Sequence, residues 1–246
     1  MKPLHSFFLL LVFTFGFAEQ RIYATYSVVP VQQSTLVLQA SGVVETILVD
    51  VGDYVQEGAL LLALRDKEQK AQVAIARAQL QALRAKHEFA RLQLERYEKS
   101  ASVIDGNTLD KIRLETQSLA SELARAESAL LLQEELLDNL TLKAPFAGVI
   151  SKKSTEVGNG VVALNSPLFE LQSNAKKLVI EFDSSHFGKV ATGDVFFYNP
   201  SQSLMITKVY PSVDSGSRKA KAEALAPDLP LASGAFGDGF IEKRKP

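Results

Sequence analysis

Very few side chains in this sequence are of the kinds that perform covalent or metal chemistry. Cysteine is absent, which removes thiol catalysis, thiolate metal sites, disulfides and the acceptor for an N-terminal lipid anchor. The only methionine after Met1 is Met205, so a thioether copper site has almost nothing to coordinate with. Of the three histidines, His5 lies in a leader described below, leaving His87 and His186. His87 falls in a helical run and is expected on its surface, and His186 falls in a capped turn. Neither has an acid or a nucleophile at a recognisable spacing. H-E-x-x-H, G-x-S-x-G, P-loop and dinucleotide fingerprints are missing. The residues therefore argue against an enzyme and name no catalytic, metal-binding or cofactor-binding position. A net charge of −1 gives no reason to propose nucleic acid as a partner.

With so little chemistry to position, the organisation of the chain carries the reading. Between Gly58 and Pro145 the one helix breaker is Gly106. On either side lie runs of equal length, Lys67–Lys99 and Asn107–Asn139, rich in residues that lose little rotamer freedom in a helix. In the first run Ala71, Ile75, Ala78, Ala82, Ala85, Phe89 and Leu92 recur at alternating steps of four and three. In the second, Leu109, Ile112, Thr116, Leu119, Leu123, Ala126, Leu130 and Leu137 do likewise, interrupted by Gln133. A 3.5-residue repeat is the pattern of a coiled-coil seam. A short polar turn, Ser100–Gly106, predicts an antiparallel hairpin over residues 66–140, roughly 50 Å long at ~1.5 Å per residue. Charge agrees with the pairing: the first run holds eight Lys/Arg against four Asp/Glu, the second three against seven. A second stripe on the first helix, Val73, Ala76, Leu80, Leu83, Ala90, Leu94 and Tyr97, is also apolar. One partner helix cannot bury both stripes, so the surplus is read as a contact with another protein or another copy, or as packing on the chain's own body.

The N-terminus reads as a secretory signal peptide. Lys2 is followed by the apolar run Phe7–Phe17 and by small residues at Gly16 and Ala18, so cleavage is expected after Ala18. The run is shorter than the ~20 residues of a membrane span, and an uncleaved anchor is the alternative. Residues 19–40 read as strands broken at Pro30. Two similar β-units then flank the hairpin. Gly42-Val43-Val44 is followed ten residues on by Gly52 in Val51-Gly52-Asp53, and Gly148-Val149-Ile150 by Gly158 in Val157-Gly158-Asn159. Each continues through a valine (Val55, Val161) and a small-residue turn into a leucine-rich strand. Neither unit can bury its apolar face alone, so residues 41–65 and 141–172 are expected to pack on each other. Beyond a polar linker, Leu178–Phe182, Asp194–Tyr198, Leu204–Val209 and Lys221–Leu225 are candidate strands, and Ser184–Val190 a short helix capped by Ser184 or Asp183. Residues 173–241 thus read as a barrel or sandwich, closed by a strand from the N-terminal segment, with 242–246 as a frayed tail.

Split β-units around a turn resemble biotinyl and lipoyl carrier domains, which present a modifiable lysine. Here the inserted helices occupy that place and Lys67 begins a helix, so a swinging-arm role does not follow. Several stretches taken in order resemble one family, the periplasmic adaptor or membrane fusion proteins (HlyD-like) of tripartite efflux pumps. Ser41-Gly42-Val43-Val44, Val51-Gly52-Asp53-Tyr54-Val55 and Gly58-Ala59-Leu60-Leu61 resemble their first lipoyl half-motif. Leu142-Lys143-Ala144-Pro145-Phe146-Ala147-Gly148-Val149-Ile150 resembles the second, written (I/L)xAPFxGxI. Leu178–Phe182 through Val190–Asp194 is similar to their barrel entry. Tyr210–Arg218 is similar to PxVDxxTR, and Leu231–Phe236 to LxPGMF.

The resemblance implies a mostly β fold with a long α-helical coiled-coil hairpin. The lipoyl-like (barrel-sandwich hybrid) domain is split by the hairpin and followed by a β-barrel domain. It also implies a periplasmic adaptor, homo-oligomeric and commonly hexameric. Its partners would be an inner-membrane transporter (RND type, with ABC type the alternative) and a TolC-type outer-membrane channel met by the hairpin tip. The family's tip pattern, R-x-x-x-L-x-x-x-x-x-x-S, is matched by Arg96, but Ser100 stands in place of the leucine and Asp105 in place of the final serine. The tip residues expected to touch a partner are Arg96, Lys99, Ser102, Ile104, Asp105, Gly106 and Leu109. For Arg96, a solvated charge at a helix end is the plain alternative. A freestanding periplasmic coiled-coil scaffold or a solute-binding protein is the alternative for the whole chain.

Overall fold

The computed structural model describes residues 21–100, 105–227 and 229–244. The leader expected over residues 1–18 lies outside the described residues. In chain order the elements are β1 (Ile22–Pro30), β2 (Gln33–Leu36), β3 (Gly42–Ile47), β4 (Tyr54–Val55), β5 (Leu60–Leu64), α1 (Lys67–Lys99) and α2 (Gly106–Asp138). They continue with β6 (Thr141–Lys143), β7 (Gly148–Lys153), β8 (Gly160–Val161), β9 (Phe169–Gln172), β10 (Lys176–Asp183), β11 (Val195–Asn199) and β12 (Gln202–Met205). The last three are β13 (Lys208–Val213), β14 (Lys219–Ala226) and β15 (Phe236–Glu242). Among the described residues no helix is long and apolar enough to cross a membrane. Among the described residues the elements form two compact units, one between residues 32 and 174 and one from the residues up to 31 together with those from 175 onward.

In the first unit the two β-units interlock reciprocally. Val44 N–H donates to Asn159 O (2.9 Å) and Ile150 N–H to Asp53 O (3.0 Å). Gly52 N–H donates to Ile150 O and Gly158 N–H to Val44 O, both at 2.9 Å. Residues 106 apart thus exchange equivalent bonds, which is how two fragments too small to fold alone make one body. Gly52 and Gly158 occupy the left-handed region at φ 96° and 92°, open to glycine at little cost. The halves contribute to two four-stranded sheets, ordered β2-β9-β7-β4 and β6-β5-β3-β8. Leu61, Leu62, Leu64, Ile150, Phe169 and Leu171 fill the space between them. Gly148 sits where a Cβ would stand 2.2 Å from the Gln172 carbonyl oxygen, on the neighbouring strand of the same sheet. Gly148→Ala must displace backbone and is expected to destabilise this unit by about 2 kcal/mol, as overpacked cores do. An unchanged urea midpoint for the variant would contradict this.

The second unit is a seven-stranded antiparallel sheet, ordered β12-β11-β15-β1-β10-β14-β13. Its inner face buries Ala24, Val28, Leu178, Ile180, Phe182, Phe196 and the alanines of β14. β12 and β13 lie at opposite ends of that order, yet only Ile206 and Thr207 separate them in the chain. Three Cα steps of ~3.8 Å reach no further than ~11 Å, so the two edges must meet and the sheet curls on itself. Ile206 N–H reaches Asp194 O and Thr207 N–H reaches Glu223 O, both at 2.8 Å.

That crossover corrects the expectation of one strand over Leu204–Val209: the chain changes sheet edge at Ile206, which is fully buried. Residues 19–40 do not join the barrel as a whole. β1 lies in the middle of the seven-stranded sheet and stops at Pro30, whereas β2 pairs with β9 and buries Leu36 among the leucines of the first unit. Leu36 and Leu38 need an apolar interior, and Pro30 offers no N–H to extend the earlier ladder. The tail reading is also corrected: Glu242 belongs to β15 and forms an ion pair with Arg21 (2.7 Å), and Arg244 N–H binds Asp194. The expected helix over Ser184–Val190 is a single 3-10 turn, Ser184–His186, capped by the Asp183 carboxylate on Ser185 N–H (2.8 Å).

Candidate functional site: the helical hairpin

α1 and α2, each of 33 residues, are inserted between β5 and β6. Gly106 does not break the second helix but opens it. Asp105 is the N-cap, extended at φ −60° and ψ 130°, and its side chain accepts from Thr108 N–H. A cap of this kind satisfies a donor left free at a helix start.

α2 presents its expected seam, with Leu109, Ile112, Thr116, Leu119, Leu123, Ala126, Leu130 and Leu137 all half-buried. α1 does not. The Ala71/Ile75/Phe89/Leu92 stripe faces solvent, with Ile75 53%, Phe89 64% and Leu92 43% exposed. The stripe read as surplus forms the seam: Val73, Ala76, Leu80 and Ala90 are each below 9% exposed, and Leu83, Leu94 and Tyr97 are half-buried. The reason is partly area, since four of the seven positions on the outward stripe are alanine. It is also polar matching, because Gln69 extends the inner stripe and its amide donates to Gln133 O (3.0 Å) and Oε1 (2.9 Å). The residue that interrupts the α2 seam therefore has its own partner layer. His87 also belongs to this stripe and is half-buried rather than on the surface.

Ion pairs fix the register. Arg77–Glu134 (2.8 Å), Arg84–Glu127 (3.3 Å) and Arg113–Glu98 (3.0 Å) join the helices at positions whose numbers sum to 211 in every pair. All three are solvent-exposed and each is worth under ~1 kcal/mol. Their contribution is geometric, because they hold a single antiparallel alignment. The sequence reading missed these pairs, although their spacing by multiples of seven on both helices was visible in it.

At the tip, Lys99 donates to Glu95 (2.9 Å), and that bond holds the Glu95 carboxyl below the usual carboxylate range. Glu88 is lowered likewise by its hydrogen bond from Arg91. Arg96 is exposed and makes no hydrogen bond or ion pair among the described residues. Lys99, Asp105 and Gly106 are exposed, and Leu109 is half-buried at the last seam position. Ser102 and Ile104 lie outside the described residues. Away from the hairpin, His186 Nδ1 is buried without a partner, and no cluster of three or more metal-ligating side chains occurs among the described residues. The hairpin offers shape, charge and apolar area for binding.

Residues 32–172, more than half of the chain, match the family described as CzcB-like, barrel-sandwich hybrid domain. The chain belongs to this family. It is one of membrane fusion or periplasmic adaptor proteins, which are non-catalytic. Among curated proteins, the chain is similar to Nodulation protein NolF of Rhizobium meliloti (strain 1021), 25% identical over 213 residues. That likeness covers 79% of this chain and 55% of NolF, so the chain spans about half the length of that relative. Among solved structures it is similar to a MacA–MexA chimeric protein containing the Pseudomonas aeruginosa MexA alpha-hairpin domain. The TM-score is 0.69 at 17% identity, over 92% of this chain and 83% of the other. The membrane fusion protein Spr0693 of Streptococcus pneumoniae R6 gives 0.68 at 16%, over 91% and 100%. MacA of Actinobacillus actinomycetemcomitans gives 0.68 at 18%, over 92% and 79%. At such identities the likeness is one of fold. The barrel-sandwich hybrid family match takes in both β-units together with the whole inserted hairpin.

Proposed function

We propose that this chain is the periplasmic adaptor subunit of a tripartite efflux pump, exported by its leader. It would link an inner-membrane transporter, of RND type, to a TolC-type outer-membrane channel. The observation that carries the reading is the hairpin itself: two equal helices, locked in one register, emerging from a split barrel-sandwich hybrid body. Such a rod holds its tip at a fixed distance from its base, which is the mechanical property a bridge between two membranes requires. Arg96 and Lys99 supply exposed cationic donors there, Asp105 and Gly106 begin the second helix, and Ser102, Ile104 and Leu109 complete the proposed contact. The outward α1 stripe is a second heptad seam without a partner among the described residues, and a second copy is its proposed occupant. α1 carries a net charge of +4 and α2 of −4, so an α1 face of one copy is complementary to an α2 face of the next, as in a ring.

Site-specific photo-crosslinking in the cell envelope tests the tip. A crosslinker at position 96 or 99 is expected to capture a TolC-type channel, identified by mass spectrometry, and one at the seam position 80 is not. Capture from 96 and 99 of other copies alone, or of nothing, would remove the channel from the proposal.

A further inference from the structure

The outer face of the seven-stranded sheet contains a cavity of about 420 Å³ that a mechanical bridge does not need. It opens where β11 leaves β15. Those strands pair as far as Phe197↔Phe240, whereas β1 stays paired with β15 on to Ser27↔Phe236. Strand alternation then decides which side chains meet on the outer face. One rung holds Arg21 beside Glu242, the next Tyr23 beside Phe240, and the next Thr25 beside Asp238. The middle rung is aromatic: Tyr23 and Phe240 meet edge to face with centroids 5.9 Å apart, and Phe197 stands across from Phe240 on β11.

Charge is unevenly distributed along this cavity. Arg21 is held by Glu242 at 2.7 Å, which cancels both charges. Asp238 is exposed and has no hydrogen bond or ion pair among the described residues. It lies four residues from Glu242, roughly 13 Å along a strand. That exceeds the ~8 Å screening length at physiological salt, so Arg21 does not neutralise it, and the Lys219 ammonium that reaches Thr25 Oγ1 beside it (3.4 Å) is paired with Glu181 (3.6 Å). The lining is therefore aromatic at its centre and carries one net negative charge at one end.

We propose that this cavity binds an organic cation bearing an aromatic ring, with the ring against Phe240 and Phe197 and the charge at Asp238. Aromatic faces attract cations, and the adjacent carboxylate selects the sign. The volume falls within the ~300–1,000 Å³ of small-molecule sites. Anions meet Asp238 at one end and the Glu242 ion pair at the other. The inference stands on the barrel alone and does not rest on the adaptor reading.

Calorimetric titration of the full chain with 4-phenylbutyltrimethylammonium tests it, with 4-phenylbutanol and 4-phenylbutyrate as matched neutral and anionic probes. The cation is expected to bind tightest and the carboxylate weakest. Asp238→Asn should weaken the cation about fivefold and leave the alcohol unchanged. Phe240→Leu should weaken cation and alcohol alike. Should that variant fail to fold, intermolecular NOEs on the unmodified chain must place the probe's ring on Phe197 and Phe240. Equal affinity for cation and alcohol, no binding of the cation, indifference to Asp238→Asn, or ring contacts elsewhere would each overturn the proposal.

Discussion

Leu80→Asp is expected to unzip the hairpin, whereas Phe89→Asp, nine residues further along the same helix, should leave its helicity intact. The two substitutions put the same carboxylate into the same helix and differ only in the face they alter. Leu80 is 7% exposed and sits between Ala76 and Leu83 in the seam. An aspartate there would bury a charge facing the apolar half of α2, where Arg77 and Arg84, one turn away on the same helix, are already paired with Glu134 and Glu127. Removing the leucine alone costs about 3 kcal/mol in a packed interface, before any charge is added. A helix within a folded protein owes most of its stability to such packing, so losing the seam should lower the far-ultraviolet helical signal outright. Phe89 is 64% exposed, and a surface substitution of this kind changes stability by no more than about 0.5 kcal/mol. Circular dichroism at 222 nm reads the contrast directly. If Phe89→Asp melted the helices and Leu80→Asp spared them, the assignment of the inner stripe would be reversed. The same pair separates fold from assembly, because Phe89→Asp should lower self-association measured by sedimentation while the helices persist.

Glu223→Ala is expected to cost the barrel about 3 kcal/mol. Glu223 is buried on β14, and one of its oxygens accepts from both Lys177 Nζ and Tyr210 Oη, each at 2.6 Å. Deleting the carboxylate leaves a cation and a hydroxyl without their shared acceptor, the situation that makes breaking an enclosed ion pair expensive. The figure is at the low end of that class because the Lys177 side chain keeps 22% of its surface in water. The effect should depend on pH with a definite sign. Burial acts to raise the Glu223 carboxyl, but the hydrogen bonds from Lys177 and Tyr210 outweigh it and hold the group below its ordinary value. A depressed acid stabilises the fold above its unfolded pKa of about 4.3, and that contribution is lost as pH falls through the folded value. The stability gap between the natural chain and Glu223→Gln, measured in urea, should therefore shrink from pH 7 to pH 3. The hydrogen bond to Glu223 also raises the Tyr210 hydroxyl, so its share is present below about pH 10 and is lost as pH rises through the raised value. A gap that stayed constant down to pH 3 would contradict the account of Glu223.

Much of this architecture follows from local chemistry. Uninterrupted runs of good helix formers gave the boundaries of α1 and, to within one residue, of α2, because helix propensity and breakers act over a few residues. The paired Val-Gly-Asp and Val-Gly-Asn turns marked two β-units for the same reason, since a positive φ selects its residue types wherever the turn lies. The α2 seam was legible because only one of its faces is apolar throughout.

Where two answers satisfied local rules equally, the sequence stayed silent and distant contacts decided. Both stripes of α1 have heptad spacing, and the choice fell to Gln69 meeting Gln133 and to Arg77 and Arg84 meeting acids some 50 residues away. Residues 22–36 read as strands throughout, yet β1 and β2 entered different units because their ladder partners, β10 and β9, lie about 140 residues downstream. Closure of the barrel hung on one buried residue, Ile206, at which the chain leaves one sheet edge for the other. Propensity and periodicity fix which elements form and which faces are apolar. Which apolar face meets which partner depends on complementary surfaces that only the folded chain brings together.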